Sequence, residues 1–223
     1  MQTLSELRKE VYENPDLQMC SSLPLYGLIE LVSRPDKPNA VRYGCLELGD
    51  VKGILLFVSP VDAIIKCREF NRNGGAFDVF PFEFVNPRGF IRDYDGWLTL
   101  YIVYGFAARN NKLLLSKGGD IQVLPFWVHR KFNLEGIEEH IHFTFPDDLS
   151  DWLNRVHRAV ALPDYPSLAY EQAKSTMGEL EIVASTALQV ADYMEGEAHH
   201  KPVECAVFDP VESEWCFADY DTI

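Results

Sequence analysis

Short apolar runs separated by turn-forming residues make up most of the chain between residues 25 and 145, and one helix-like segment interrupts them. The runs have the length of β-strands, and their Gly, Asn and Asp connectors tolerate the positive φ angles of tight turns. They lie at 25–32, 41–48, 51–58, 77–85, 97–107, 113–115, 121–128 and 141–145. Because the long strand–helix alternation of a parallel sheet is missing, the sequence predicts an α+β fold with a mostly antiparallel sheet flanked by helices.

Turn residues and prolines refine the order of these strands. Gly49-Asp50 joins two runs into a hairpin, and Asn110-Asn111 and Gly118-Gly119 join three later runs into an antiparallel meander. Pro81 removes a backbone donor from its run, which favours an edge strand or an irregular one. Residues 88–96, rich in Arg, Asp and Gly, are expected to form a loop.

Three helices are predicted from capping signals. Thr3 to Glu6 has capping-box spacing ahead of a short amphipathic stretch that ends at Asn14-Pro15. Ser59-Pro60 begins a second helix, because serine caps the free N–H groups and proline suits the first turn, and Asp62 adds an acid there. Asp147-Asp148 begins a third helix, whose acids come first and whose bases Arg155, His157 and Arg158 come last, as the helix macrodipole favours.

Two prolines three residues apart make Leu162–Pro166 the best candidate for a linker, since each restricts itself and the residue before it. We therefore divide the chain into an α+β scaffold domain, 1–162, and an acidic appendage, 163–223, packed on it. In the appendage, helical spacing from Ser167 to Glu195 predicts one long helix. Two strand-like pieces follow it as a β-hairpin: 203–208 and 215–218.

The formal charge of -14 is distributed unevenly. Residues 1–144 hold 18 acids and 16 bases, whereas residues 145–223 hold 16 acids and 4 bases. Such a surface repels nucleic-acid phosphates and anionic lipids and attracts basic surfaces. The composition therefore predicts a basic protein partner, with no nucleic acid and no membrane, and it leaves the oligomeric state open.

Cellular location is predicted from the N-terminal residues and from the cysteines. The first residues lack the apolar core and cleavage site of a secretory leader, and the longest uncharged apolar run, 96–108, is shorter than the ~20 residues of a membrane helix. The five cysteines are odd in number and include no C-x-x-C pair, which is typical of buried free thiols. We expect a cytoplasmic protein without a cofactor.

The stretch Val51 to Cys67 combines a buried strand, the sequence Phe57-Val58-Ser59-Pro60 and a helix. This segment resembles the strand-to-helix unit of SseB-type domains, which occur in bacterial proteins linked to secretion and toxin immunity. The resemblance covers under a tenth of the chain. It implies a non-catalytic interaction module and carries over no catalytic residue.

His140-Ile141-His142 is the main candidate for metal chemistry. Residues i and i+2 of a strand face the same side, so both imidazoles can reach one metal ion, with His129, Glu138 or Asp147 as a third ligand. This pattern supports an alternative function, a metal-dependent hydrolase-like enzyme that uses His129, His140 and His142. The competing interpretation, which we favour, places the two histidines on the solvated face of a strand whose other face is Ile141 and Phe143.

Other catalytic patterns are incomplete. The run at 141–145 contains one copy of a motif similar to that of the two-histidine phosphoesterases, whose mechanism requires two. Cys45 or Cys67 as a nucleophile, and Asp93 with Asp95 as an acid–base pair or cation site, remain alternatives. Buried thiols and a solvated loop explain these residues more simply, so the chain is predicted not to be an enzyme.

Acidic and aromatic residues are interspersed through the C-terminal hairpin. A turn centred on Pro210-Val211 places Cys205 opposite Cys216. Aromatic anchors framed by carboxylates suit a desolvated contact with a basic protein. In the competing interpretation Trp215 and Phe217 belong to the core, and the acids only keep the protein in solution. The predicted partner-binding residues are Glu195, Glu197, Glu204, Asp209, Glu212, Glu214, Trp215, Asp219 and Asp221.

The sequence thus favours a non-enzymatic intracellular interaction protein whose acidic C-terminal third binds a basic partner. Its most specific form is an immunity or antitoxin-type protein that occludes a cationic toxin domain such as a nuclease. Besides the hydrolase-like enzyme, a third hypothesis is a structural subunit of a constitutive assembly.

Overall fold

The computed structural model describes residues 19–21, 23–34, 37–84, 87–133, 141–143, 147–196 and 202–223. The strands are β1 (Met19–Ser21), β2 (Tyr26–Arg34), β3 (Lys37–Tyr43), β4 (Cys45–Leu48), β5 (Val51–Phe57), β6 (Asp78–Pro81), β7 (Trp97–Arg109), β8 (Lys112–Leu115), β9 (Val123–Lys131), β10 (Ile141–Phe143), β11 (Tyr193–Glu195), β12 (Glu204–Asp209) and β13 (Glu214–Asp219). The helices are α1 (Pro60–Arg72), α2 (Arg88–Asp93), α3 (Asp147–Ala159), α4 (Tyr165–Lys174) and α5 (Met177–Val190), with a 3-10 turn at Phe82–Phe84.

Strand β7 is the centre of the main sheet. On one edge it pairs with β5 in parallel and then with β12 antiparallel. On the other edge it pairs antiparallel with β9 and then with β8. Most of the remaining strand pairs are antiparallel, which confirms the predicted α+β class with a mostly antiparallel sheet.

The strands before β7 follow the predicted pattern closely. β4 and β5 form a hairpin around Gly49-Asp50, as predicted. β6 pairs with β2 alone among the described strands and ends at Pro81, where the chain enters the 3-10 turn. This position agrees with the expectation of an edge strand or an irregular one.

The predicted meander from β7 to β9 is wrong in one respect. β8 forms a hairpin with β7, but β9 returns to β7, and the segment before β9 meets β8 through an isolated bridge between Leu115 and Ile121. The physical reason is length, since β8 has four residues and covers only the end of the thirteen-residue β7. The rest of that edge is free to pair with β9.

Both faces of the sheet are buried. On one face, Leu100 of β7 belongs to an apolar cluster that includes Leu153 of α3. On the opposite face, Tyr101 belongs to a second cluster with Ile64 of α1 and Leu180 of α5. The sheet is therefore a central layer with helices on each side.

Two helix predictions differ from the structure. The expected loop at 88–96 contains the short helix α2, whose Phe90 and Ile91 are buried in the first cluster. The expected long helix from Ser167 to Glu195 is two helices, because Ser175 and Thr176 are extended and Thr176 forms a capping box with Glu179 at the start of α5. Glu195 lies in β11 instead of a helix.

The C-terminal segment is built into the sheet that the earlier residues form. β12 pairs with β7, β11 pairs with β8, and Leu162 and Tyr165 of the predicted linker are buried in the first cluster. The division at residue 162 stays a prediction, since these contacts describe packing and not separate folding. The predicted helix at 3–14 lies outside the described residues.

A bulge in β7 is built around Gly105. The register with β9 shifts between Val103 and Phe106, and Gly105 has φ +70. A Cβ there would lie 2.6 Å from the Ala206 carbonyl oxygen and 2.9 Å from Cys205 Sγ. The position therefore needs glycine both for its backbone conformation and for the close approach of β12.

Gly105→Ala is expected to lower the free energy of unfolding by about 2–3 kcal/mol, because it combines left-handed backbone strain with overlap against β12. Urea denaturation followed by circular dichroism measures the change. Gly89→Ala is the matched control, since Gly89 is exposed and a Cβ there meets nothing within 4 Å. Equal urea midpoints for Gly105→Ala and Gly89→Ala would contradict the conclusion that position 105 requires glycine.

Candidate functional site

Six carboxylates are carried by the hairpin of β12 and β13 and the turns at its ends, and residues 202–223 contain no Lys, Arg or His. Four of the six side chains are exposed, and the other two are half-buried. None forms an ion pair with any described residue. We call this set the acidic hairpin surface: Glu204, Asp209, Glu212, Glu214, Asp219 and Asp221.

Three of these acids also hold backbone groups in place. Asp209 Oδ1 accepts the N–H groups of Val211 (2.8 Å) and Glu212 (3.3 Å), which fixes the hairpin turn. Asp219 Oδ1 accepts the Asp221 N–H at 2.9 Å, and Glu204 accepts an N–H from the β7–β8 turn. The remaining acids, Glu212, Glu214 and Asp221, have no such structural task in the described residues.

The hairpin register differs from the predicted one by two residues. Cys205 pairs with Ala218, and Cys216 pairs with Val207, so the two cysteines do not face each other. The turn takes four residues because Ser213 adopts φ +58 before β13 begins. The prediction of a turn centred on Pro210-Val211 is therefore wrong. The predicted placement of Cys205 opposite Cys216 is wrong for the same reason.

Trp215 packs inward in this register. Its ring lies 5.4 Å from that of Phe208 and 5.8 Å from that of Phe106, and its indole N–H donates to the Ala187 carbonyl of α5 at 2.8 Å. Phe217 packs against the same cluster. The exposed apolar side chains on the hairpin and at its ends are instead Val203 (42%), Val211 (80%) and Tyr220 (40%).

The other predicted partner-binding residues lie elsewhere. Glu195 is exposed on β11, which pairs with β8 in the same sheet. Glu197 lies outside the described residues. The partner-binding role assigned to these acids and to Trp215 stays a prediction.

His129 is the one member of the histidine set whose side chain the structure describes. Its Nδ1 lies 2.7 Å from the Thr99 hydroxyl, and its ring stacks on Trp97 at 4.2 Å between centroids. His140 lies outside the described residues, as does the side chain of His142. The described residues contain no cluster of three metal-ligating side chains, and the proposed site of His129, His140 and His142 stays a prediction.

The cysteines and the Asp93–Asp95 pair have no visible catalytic arrangement in the described residues. Burial raises the pKa of both Cys45 and Cys67 to about 11, so the thiolate needed for nucleophilic attack is rare at neutral pH. Asp93 ends α2 and Asp95 lies in the turn after it, with φ 51, and both are exposed.

A buried polar centre lies where α1 meets the bulge of β7. The Asp62 N–H donates to the capping Ser59 hydroxyl, which confirms the predicted helix start, while the Asp62 carboxylate accepts the Gly105 N–H at 2.9 Å. Burial raises the pKa of Asp62 to about 7, partly offset by that hydrogen bond. Asp62 was predicted only as a first-turn acid, and nothing in the local sequence indicated that it is buried.

Tyr104 continues this centre on the opposite face of β7. Its hydroxyl is hydrogen-bonded to Nε2 of His157, whose Nδ1 is hydrogen-bonded to the Pro163 carbonyl. Both side chains are buried, and burial lowers the pKa of His157. These hydrogen bonds connect α3 and the segment after it to the central strand β7. The network therefore stabilises the fold.

A second buried pair lies on α1. Lys66 Nζ lies 2.5 Å from Glu69 Oε2 and donates to the Ile121 carbonyl at 2.8 Å, while Glu69 Oε1 accepts the Ile121 N–H at 2.7 Å. The two side chains are 9% and 7% exposed. Lysine and glutamate three apart on an amphipathic helix are typical of a solvated pair, so the sequence carried no signal of this burial.

The pair forms part of the wall of an open cleft of about 450 Å³. Helix α1, the β3–β4 edge and the loop before β9 enclose it, and we call it the Lys66–Glu69 cleft. Cations, acids and aromatic rings all line it: Arg42, Lys52, Lys66, Glu69, Asp120, Phe70 and Phe77.

Comparisons with protein-family models, with curated proteins and with solved structures find no match to this chain. The resemblance of residues 51–67 to SseB-type domains therefore stays a prediction. Among the described helices, none is long and apolar enough to cross a membrane.

Proposed function

We propose that this chain is a non-enzymatic interaction protein that binds a basic protein through the acidic hairpin surface. The supporting observation is that six carboxylates fall within residues 204–221, a segment without a single cation, and that none forms an ion pair with a described residue. Unpaired exposed charges of one sign raise the rate of encounter with a surface of opposite sign. They also lose little on binding, because no existing ion pair has to break.

Exposed apolar groups accompany the acids. Val211 stands at the tip of the hairpin beside Glu212, and Tyr220 follows β13 between Asp219 and Asp221. Contacts between proteins commonly combine an apolar or aromatic anchor with a polar rim. Tyr220 therefore takes the anchoring role that the sequence had assigned to Trp215, while Trp215 supports the hairpin from behind.

The hairpin is also held rigidly. β12 is hydrogen-bonded to β7 on one side and to β13 on the other, and the indole of Trp215 fixes β13 to α5. A preorganised surface loses less conformational entropy on binding than a mobile tail with the same charges. This rigidity favours a specific partner over nonspecific attraction.

The most specific form of the proposal is an immunity or antitoxin-type protein that acts in the cytoplasm. Its partner would be a cationic toxin domain such as a nuclease, whose basic nucleic-acid groove the carboxylates would occupy in place of phosphates. The charge distribution and the SseB-like segment at 51–67 both support this form.

The test is affinity capture from the native host with three versions of the full chain, followed by mass spectrometry. The variant Glu212→Gln/Glu214→Gln/Asp221→Asn removes three acids that hold no backbone group. The control Asp50→Asn/Asp93→Asn/Asp151→Asn removes three exposed acids on other elements. We expect the wild type and the control to retain the same basic protein, and the hairpin variant to bind it about tenfold more weakly.

Salt provides a second readout, since association driven by exposed charges weakens as ionic strength rises. Affinity of the purified pair, measured by calorimetry at 50 and 300 mM salt, should fall steeply for the wild type and less for the hairpin variant. Capture of no basic protein, or equal binding by all three versions, would refute the proposal.

A further inference from the structure

We propose that the Lys66–Glu69 cleft binds a small organic anion, a carboxylate or phosphate attached to a compact apolar group. Its volume of about 450 Å³ is in the range of small-molecule sites. None of its lining residues belongs to the acidic hairpin surface, so the site is separate from the proposed partner contact.

Each acid that lines the cleft already holds a cation of this chain. Both oxygens of Glu69 are engaged, one by Lys66 and the other by the Ile121 N–H. Asp120 accepts from Arg72 at 3.0 Å and from Asn73 at 3.3 Å. A ligand in the cleft therefore meets carboxylates whose charge is already compensated.

The cations, in contrast, keep unused donors. Lys52 is exposed and forms no ion pair with the described residues. Lys66 has three N–H groups and uses two of them, on Glu69 and on Ile121. Arg42 binds Glu30 through one terminal nitrogen, and its other guanidinium donors have no hydrogen-bond partner among the described residues.

This surplus of donors selects the charge of the ligand. A group that satisfies several ammonium and guanidinium donors at once must be rich in acceptors, and anionic oxygens make the strongest such bonds. A local excess of donors runs against the overall charge of -14, so it is not a reflection of the bulk composition.

Aromatic rings select the remainder of the ligand. Phe70 and Phe77 lie edge to face with centroids 5.2 Å apart, and the Arg42 guanidinium lies 5.1 Å from the centre of the Phe77 ring. Apolar walls beside the donors favour a ligand with an apolar body over a fully hydrated inorganic ion.

Nuclear magnetic resonance titration of the full chain tests this site with three probes: benzoate, phenyl phosphate and benzyl alcohol. We expect saturable shifts of the Gly74, Gly75 and Asp120 amide signals with at least one of the two anions and none with the uncharged alcohol. Lys52→Gln should weaken the anion's binding about fivefold, whereas Lys112→Gln, at an exposed lysine on β8, should leave it unchanged.

Each outcome decides the proposal. Saturation by benzoate alone identifies a carboxylate site, and saturation by phenyl phosphate alone identifies a phosphate site. Equal shifts with benzyl alcohol, no saturation by either anion, or unchanged binding in Lys52→Gln would overturn it. The hairpin variant should bind the anion normally, so failure of the partner proposal is distinguishable from failure of this one.

Discussion

Glu69→Ala is expected to lower the free energy of unfolding by about 3–5 kcal/mol, because it leaves the buried Lys66 ammonium without its counter-charge. The substitution also removes the acceptor of the Ile121 N–H, which is buried with the pair. Guanidinium denaturation of the wild type and the variant measures the difference.

A matched control exists on another helix. Glu171 and Lys174 have the same three-residue spacing and lie 2.8 Å apart, but their side chains are 67% and 50% exposed. Glu171→Ala should cost less than about 1 kcal/mol, since water screens the exposed pair. Equal losses for the two variants would show that burial of the Lys66 pair has no energetic weight.

The double variant Lys66→Met/Glu69→Gln should recover more than half of the loss caused by Glu69→Ala. Methionine fills the volume of the lysine stem without a charge, and a glutamine amide can both accept from the Ile121 N–H and donate to its carbonyl. Failure to recover, with a folded double variant, would mean that the charge pair itself stabilises the contact between α1 and the segment around Ile121.

Asp62→Asn should stabilise the protein increasingly as pH rises. The folded-state pKa of Asp62 is about 7, above its ordinary value of 3.8, so the folded chain holds a proton that the unfolded chain has lost between these values. Stability of the wild type therefore falls as pH rises from about 4 to 7, by about 4 kcal/mol in total from this one group. Asparagine does not ionise and still accepts the Gly105 N–H.

The measurement is the difference in unfolding free energy between Asp62→Asn and the wild type at pH 5.5 and pH 8. This difference should grow by about 2 kcal/mol in favour of the variant. The contribution of His157, whose pKa is lowered by burial, is present in both proteins and largely cancels. Asp50→Asn, an exposed control, should show no such growth, and a flat difference for Asp62→Asn would refute the assignment.

Local patterns predicted most of the secondary structure of this chain. The Gly49-Asp50 hairpin and the Ser59 cap were readable because each depends on a few adjacent residues whose backbone preferences agree. The predictions that were wrong have a common cause, because each concerned a segment whose conformation depends on contacts with distant parts of the chain. The return of β9 to β7 and the break before Thr176 depend on which neighbour each segment meets.

The candidate site was predicted only in part, because some of its features depend on local sequence and others on long-range pairing. The density of hairpin acids depends on the local sequence alone, and acidic side chains are usually exposed. The inward packing of Trp215 depends on a register that a four-residue turn sets, which spacing alone did not reveal. The burial of Asp62, Lys66 and Glu69 arises from contacts with residues 43 to 55 positions away along the chain.

The position of β12 beside β7 has a consequence for biosynthesis. Residues 106–108 of β7 pair with residues that lie nearly a hundred positions later in the sequence. A ribosome-bound chain that ends before residue 204 therefore has an uncovered edge on β7, the central strand of the sheet. Pairing over such a separation is slow, and an open apolar edge invites association with other nascent chains. A chain cut before residue 204 is therefore expected to associate with other chains more readily than a chain that carries β12.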